Sequence, residues 1–299
     1  MRHKYTFTTA INRKSTWRSV LVDYLLLIKF RLTAVVVLSS VFGYLIQLDE
    51  TFSLQSLFLL VAGGFFVTAS ANALNQVLEK DYDILMERTA VRPVASGRMR
   101  SSEGVMFAGL SCLLGISLLA ALNTMTAFLG MLSLILYAFV YTPLKRYSTL
   151  AVPVGAIPGA LPVMIGAAAV DGKISMLAFC LFVLQFLWQF PHFWSIGFLS
   201  FQDYKAAGYR LLPQQGDEID RNLGLSSMFY ALMILPVACF MWMRLDVTLT
   251  ASLSTILLTI SYVWLSYQFH VKFDRTAALR LMFFSFLYLP LILLSYWLL

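Results

Sequence analysis

A chain of 299 residues that is 60% hydrophobic, only 12% charged and of mean hydropathy +0.77 lacks the polar surface of a soluble globule. Its formal net charge of +7 is accounted for by membrane topology and calls for no nucleic acid. Cys112, Cys180 and Cys239 stand singly in apolar runs without C-x-x-C spacing, which points away from a disulfide framework or a zinc site.

The predicted class is an all-α polytopic membrane protein, because continuous apolar runs of this length do not occur in transmembrane barrels. The head, residues 1–31, has no apolar core ending in a small-residue cleavage site, and Asp23 interrupts its single hydrophobic patch. No cleaved signal peptide is expected, and Val20 to Ile28 reads as an amphipathic segment at the interface. The membrane domain is predicted over 32–299, with nine spans at 32–48, 54–76, 104–121, 124–141, 150–170, 174–196, 223–243, 249–269 and 279–298. With the amino terminus in the cytoplasm, 20 of the 22 Lys and Arg residues fall on the internal side, leaving Lys173 and Arg244 opposite. This asymmetry predicts a protein of the cell (inner) membrane, N-terminus cytoplasmic and C-terminus outside. External loops are short. Two internal loops, 79–103 and 200–222, are long and charged, and the chemistry is expected where they meet.

The second span runs into the first of these loops as Asn72-Ala-Leu-Asn75-Gln-Val-Leu-Glu79-Lys-Asp81-Tyr-Asp83. On one continuous helix Asn72, Asn75, Glu79 and Asp83 fall within roughly 80° of each other, and Asp81 points away. Glu79 and Asp83 at i, i+4 repel. A hard divalent cation removes that repulsion and prefers such oxygen donors. Arg88 and Arg92 follow, the latter before Pro93. Their guanidinium forks suit phosphate oxygens, although internal arginines also serve as topological anchors, as Arg98 and Arg100 do. Lys145, closing the fourth span in Tyr141-Thr-Pro-Leu-Lys145-Arg146, has the same two readings: a cation for a leaving diphosphate, or an anchor. The fifth span carries Pro153, Gly155, Pro158, Gly159, Pro162 and Gly166, a composition typical of close membrane packing.

The sixth span carries Trp188-Gln-Phe-Pro-His192-Phe-Trp-Ser195, continuing to Asp203-Tyr-x-x-Ala-Gly208. His192 is the one histidine within a span. If the helix continues, Asp203 lies about 20° from it around the axis. A histidine so placed is either a hydrogen-bonded packing residue or a functional group. Trp188, Phe193 and Trp194 are either an interfacial belt or π faces for a cation or flat ligand.

Taken together, Asn72-x-x-Asn75-Gln-x-x-Glu79-x-x-x-Asp83, Met86-Glu-Arg-Thr, Tyr141-Thr-x-x-Leu-Lys-Arg, Pro191-His192-Phe-Trp and Asp203-Tyr-x-x-Ala-Gly resemble the UbiA-type intramembrane prenyltransferase superfamily, and within it the haem-farnesylating branch. The resemblance covers roughly residues 20–299. Relatives acting on quinone or chlorophyll precursors typically carry a second Asp-x-x-x-Asp motif. Here Leu199 replaces its first acid and only Asp203 remains. A second departure is Tyr209-Arg-Leu-Leu-Pro, where the branch usually reads Gly-x-Pro-Met-Leu-Pro.

The resemblance implies a nine-helix bundle with a central intramembrane cavity open toward the cytoplasmic side. It implies transfer of farnesyl from farnesyl diphosphate to a vinyl group of haem b, with addition of water and release of diphosphate, giving haem O. Mg²⁺ is the implied cofactor, held by Asn75, Glu79, Asp83 and Asp203. Arg88, Arg92 and Lys145 would bind diphosphate, Asn72 would orient the site, and His192 would meet haem as iron ligand, base or cation stabiliser. Implied partners are the lipid bilayer and, downstream, haem A synthase or terminal oxidase assembly factors. The rival classes are a prenyltransferase of a quinone or chlorophyll precursor and a small-molecule transporter. Against the transporter, the acids gather at internal helix ends beside arginines rather than at the bilayer midplane.

Overall fold

The structure is a computed structural model in which residues 16–48, 52–245 and 247–298 are described. The first fifteen residues of the basic head, residues 49–51, Asp246 and Leu299 lie outside the described residues, and so do the head's first cations and the external position expected of the C-terminal residue. Helices run in chain order α1 (Trp17–Leu27), α2 (Phe30–Gln47), α3 (Leu54–Leu78), α4 (Lys80–Asp83), α5 (Glu87–Ala90), α6 (Ser101–Ala120), α7 (Thr124–Ile135), a π-helical turn (Leu136–Tyr141), α8 (Thr142–Leu144), α9 (Ala151–Asp171), α10 (Met176–Leu199), α11 (Phe201–Ala206), α12 (Leu223–Leu232), α13 (Ile234–Arg244), α14 (Leu249–Lys272) and α15 (Arg275–Leu298). Between α11 and α12 a two-residue hairpin, β1 (Gln214–Gln215) with β2 (Glu218–Ile219), turns at Gly216, whose φ is +64°. The chain is therefore nearly, not wholly, helical.

Among the described residues nine helical segments are long and apolar enough to cross a membrane, with limits close to those predicted. Their outer faces carry Leu110, Leu113, Leu257, Phe283 and Leu287 exposed, while Thr255, Thr259, Ser266 and Ser285 are buried between helices. This distribution suits a lipid solvent, where small and hydroxylated residues pack between helices. Four spans begin at the face of short connections, and each is capped there by a side chain. Ser53, Asn123, Ser175 and Thr248 accept from the backbone N–H of Ser56, Thr126, Ala178 and Ala251. Each cap satisfies a donor that hydrocarbon could not.

The most buried span, α9, packs against α2, α7 and α10. Its contact with α2 is backbone to backbone. A Cβ at Gly166 would lie 1.8 Å from the Ser40 carbonyl oxygen, and one at Gly43 would lie 1.9 Å from that of Val163. Only glycine admits this approach. Pro162 removes the donor for the Pro158 carbonyl, which the Ser133 hydroxyl reaches at 3.4 Å. Gln185 and Gln189 of α10 donate to the carbonyls of Gly159 and Ala156 at 2.9 Å each. Beyond α10, α15 packs on α10 and α14 and returns to touch α2.

α1 lies ahead of the first span with Trp17, Val20, Leu21, Leu25 and Leu26 exposed and Leu27 buried. Asp23, the acid that interrupts its apolar patch, pairs with Arg98 at 2.9 Å. The α1–α2 elbow at Lys29 has φ +50°. It is held from α3, where Gln76 donates to the Leu26 and Leu27 carbonyls and Asn72 to that of Ile28.

Candidate functional site

The two long loops do meet. Tyr82 stacks on Tyr209 with ring centroids 5.8 Å apart, Met86, Ala207 and Tyr209 form one buried cluster, and the Arg210 N–H donates to the Lys145 carbonyl at 2.7 Å. At this junction the polar stripe of α3 is buried. Asn72, Asn75, Glu79 and Asp83 are each at most 3% exposed. The continuous helix assumed for the stripe is not what places them. α3 ends at Leu78, Glu79 (φ −98°, ψ 5°) is the junction, and Asp83 closes the separate one-turn α4. The break turns both carboxylates toward a common cation, Nη1 of Arg92, which lies 2.7 Å from Asp83 and 3.8 Å from Glu79. Asp81 is exposed.

Lys145 donates to Glu79 at 2.7 Å and lies 4.5 Å above the centre of the Tyr141 ring. It is brought there by the π-helical turn, which widens the end of the fourth span; such turns recur at functional sites. The same turn directs Tyr137 toward Asn72 (3.4 Å), and Thr142 beyond it accepts from Asn75 at 3.1 Å. Lys29, from the α1–α2 elbow, donates to the Asn75 Oδ1 at 2.7 Å. Lys29, Tyr137, Thr142 and Tyr209 were not singled out in the sequence. Lys29 is hidden there among the internal cations, and Tyr209 was marked only as a departure from the family pattern.

Charge at this pole is balanced locally. Burial works against the Glu79 carboxylate, but Lys145 and Arg92 outweigh it and hold its pKa below the usual range. Burial dominates at Asp83 and raises its pKa despite Arg92. For Lys145 burial is outweighed by Glu79, and its pKa lies well above the ordinary value. Lys29 has burial and two neighbouring cations against it, and its pKa falls well below. Burial also raises that of Tyr209, with the Glu79 carboxylate adding to the effect.

Three other predicted residues make no ion pair or side-chain hydrogen bond with this cluster among the described residues. Arg88 on α5 is exposed and makes no ion pair among the described residues. Asp203 is half-buried on α11. α10 continues through Pro191 but ends at Leu199, with Ser200 (φ −108°, ψ 16°) as the junction, so the helical register inferred between His192 and Asp203 does not carry across. His192 faces α15. Its Nδ1 is 2.7 Å from Ser285 Oγ, and its ring stacks on Trp188 at 4.8 Å.

Among the described residues no cluster of three or more His, Cys, Asp or Glu is arranged to hold a metal. The donor chemistry nevertheless fits a hard cation. Two buried carboxylates already converge on one positive centre, with an amide oxygen, Asn75 Oδ1, beside them on a lysine. Arg92 and Lys145 neutralise these two carboxylates.

The UbiA prenyltransferase family matches residues 36–287. A protoheme IX farnesyltransferase of Cytophaga hutchinsonii is 38% identical over 274 residues, 91% of this chain and 96% of that one. One of Christiangramia forsetii is 36% identical over 282 residues, 93% of each. Among solved structures, digeranylgeranylglyceryl phosphate synthase superposes with a TM-score of 0.78 at 18% identity, covering 93% of this chain and 98% of that one. A UbiA homolog from Archaeoglobus fulgidus bound to GPP and Mg²⁺ superposes at 0.68 with 16% identity, covering 91% and 99%.

Proposed function

The chain belongs to the UbiA prenyltransferase family, and from that premise we propose that it is a protohaem IX farnesyltransferase, converting haem b to haem O with farnesyl diphosphate as donor. The observation that carries the reading is the buried pole at which Glu79 and Asp83 meet Arg92 and Lys145, in a chain whose farnesyltransferase relatives match it almost end to end. The haem acceptor is drawn from those relatives.

Asn75, Glu79, Asp83 and Asp203 would hold Mg²⁺, directly or through water, and the ion would supply the charge neutralisation that makes diphosphate a viable leaving group. Arg92 and Lys145 exchange their carboxylate partners for diphosphate oxygens, and Arg88 adds a third cation from the loop. Asn72 orients the site by holding the elbow that presents Lys29. As the C–O bond of the donor breaks, its electron pair leaves with diphosphate. The vinyl π electrons of haem b form the new C–C bond. The resulting cation, stabilised by the macrocycle, takes up water and loses a proton. Trp188 and Phe193 flank His192 on α10 and would shield the allylic cation from premature water, whereas Trp194 packs against Phe190 and Tyr230.

We place the pole on the cytoplasmic side, where 20 of 22 basic residues fall by the span assignment, with a cavity opening from it into the bundle. Residues 1–31 act as a cytoplasmic head and 32–299 as the prenyltransferase domain. Haem A synthase or oxidase assembly factors would receive the product. The test is direct: membranes containing the protein are given haem b, farnesyl diphosphate and Mg²⁺, and pigments are read by mass. A hydroxyethylfarnesyl haem is expected. Unchanged haem alongside prenylation of a quinone precursor would overturn the assignment.

A further inference from the structure

His192 sits in α10 seven residues before Leu199, about 10 Å from the helix end at 1.5 Å per residue. Trp188 stacks on one side of its ring, and Phe286 of α15 meets it edge-on at 5.2 Å. Its Nδ1 lies 2.7 Å from Ser285 Oγ, and that same oxygen lies 2.6 Å from the Met282 carbonyl oxygen. A serine hydroxyl has one proton to donate. Two oxygens 2.6 Å apart repel unless a proton lies between them, so the Ser285 proton is on the Met282 line. The remaining short contact then requires its proton from the ring nitrogen. Ser285 is itself clamped, since the Trp188 indole donates to its carbonyl at 3.0 Å and the Tyr262 hydroxyl to the Trp188 carbonyl at 2.9 Å.

We infer that Ser285 is a positioning residue that fixes His192 as its Nδ1–H tautomer, leaving the bare Nε2 lone pair as the ligand for the iron of the haem substrate. The inference rests on the proposed haem reading. Neutral imidazole whose far N–H is held by an oxygen is the arrangement that orients a metal-binding histidine and strengthens its donor nitrogen, and imidazole suits iron. Nε2 has no hydrogen-bond partner among the described residues, and no charged side chain hydrogen-bonds His192 or Ser285.

The experiment uses the full-length protein in lipid nanodiscs with ferrous haem b. It reads the iron–histidine stretch by resonance Raman, haem affinity by absorbance titration, and farnesyl diphosphate binding as a check on folding. The stretch is expected in the unsubstituted protein and absent in His192→Ala. Ser285→Ala should lower its frequency and weaken haem binding about 10- to 100-fold with donor binding kept, and Ser285→Thr, which retains Oγ, should restore both. A stretch that survives His192→Ala, or one unchanged in frequency and affinity in Ser285→Ala, overturns the inference. Haem O formation without any iron–histidine stretch also overturns it while leaving the proposed function standing. Absence of haem O formation with intact donor binding would instead remove the haem reading itself.

Discussion

At the scale of single residues, the site separates groups that look equivalent in sequence. Asp81 and Asp83 flank Tyr82, yet Asp81 is exposed while Asp83 is fully buried against Arg92. Asp83→Asn removes a buried charge from the pole and should lower turnover about 10²- to 10³-fold, the scale seen when one electrostatic contact to a transition state is lost. Asp81→Asn should change it less than twofold to threefold. Steady-state assays on both, normalised to membrane content, check this, and equal losses would remove the case for a directed acidic pair. Arg88 and Arg92 separate in the same way. Arg92 reaches two carboxylates and Arg88 none among the described residues. Arg92→Lys keeps the charge but loses the planar fork, and the donor KM should rise at least about tenfold. Arg88→Lys should raise it less. Normal donor dependence in both would reduce the two arginines to topological anchors.

At the scale of elements, breaks in helices matter as much as the helices. The junctions at Lys29, Glu79 and Ser200, and the π turn at Leu136–Tyr141, are where side chains leave the regular register and turn toward the pole. The long straight elements serve to hold these junctions, and α9 is their centre. Gly166 has the Ser40 backbone carbonyl where a Cβ would go, whereas Gly109 of α6 has nothing within 4 Å. Gly166→Ala must therefore push α2 away from α9, a backbone clash costing about 1–3 kcal/mol or more. It should lower the thermal midpoint of the purified protein in detergent, and activity with it, because α2 begins at the Lys29 elbow. Gly109→Ala should leave the midpoint unchanged or raised. Equal midpoints for the two variants would show that the α2–α9 contact is not tight.

At the scale of the whole molecule, helix ends that the span assignment puts on one side are tied to one another: Asp23 pairs with Arg98 and Glu79 with Lys145, the Arg210 N–H donates to the Lys145 carbonyl, and Gly224 lies against His270. The proposed orientation places this side in the cytoplasm. In a variant lacking Cys112, Cys180 and Cys239, a cysteine at position 210 should resist an impermeant thiol reagent added to intact cells and react once the membrane is opened. Labelling from outside would invert the map. A cysteine at position 173 should behave in the opposite way.

The spans were legible in the sequence because crossing a bilayer is a one-dimensional requirement. About 20 apolar residues suffice, whatever they pack against. Asn72 and Asn75 were legible for a related reason, since both lie within α3 and helical periodicity alone puts them on one stripe. Periodicity fails where the backbone leaves the helix. It could not say how Glu79 and Asp83 converge across a break, and it wrongly carried His192 into register with Asp203 across Ser200. Nor could it find Lys29, Thr142 or Tyr209, or the serine 93 residues from His192 that sets its tautomer. Composition and local spacing determined the membrane, the spans and the residue types of the chemistry. Packing between distant segments decided which of those residues meet, because a buried charge or ring nitrogen takes its state from whatever the fold sets within hydrogen-bonding distance.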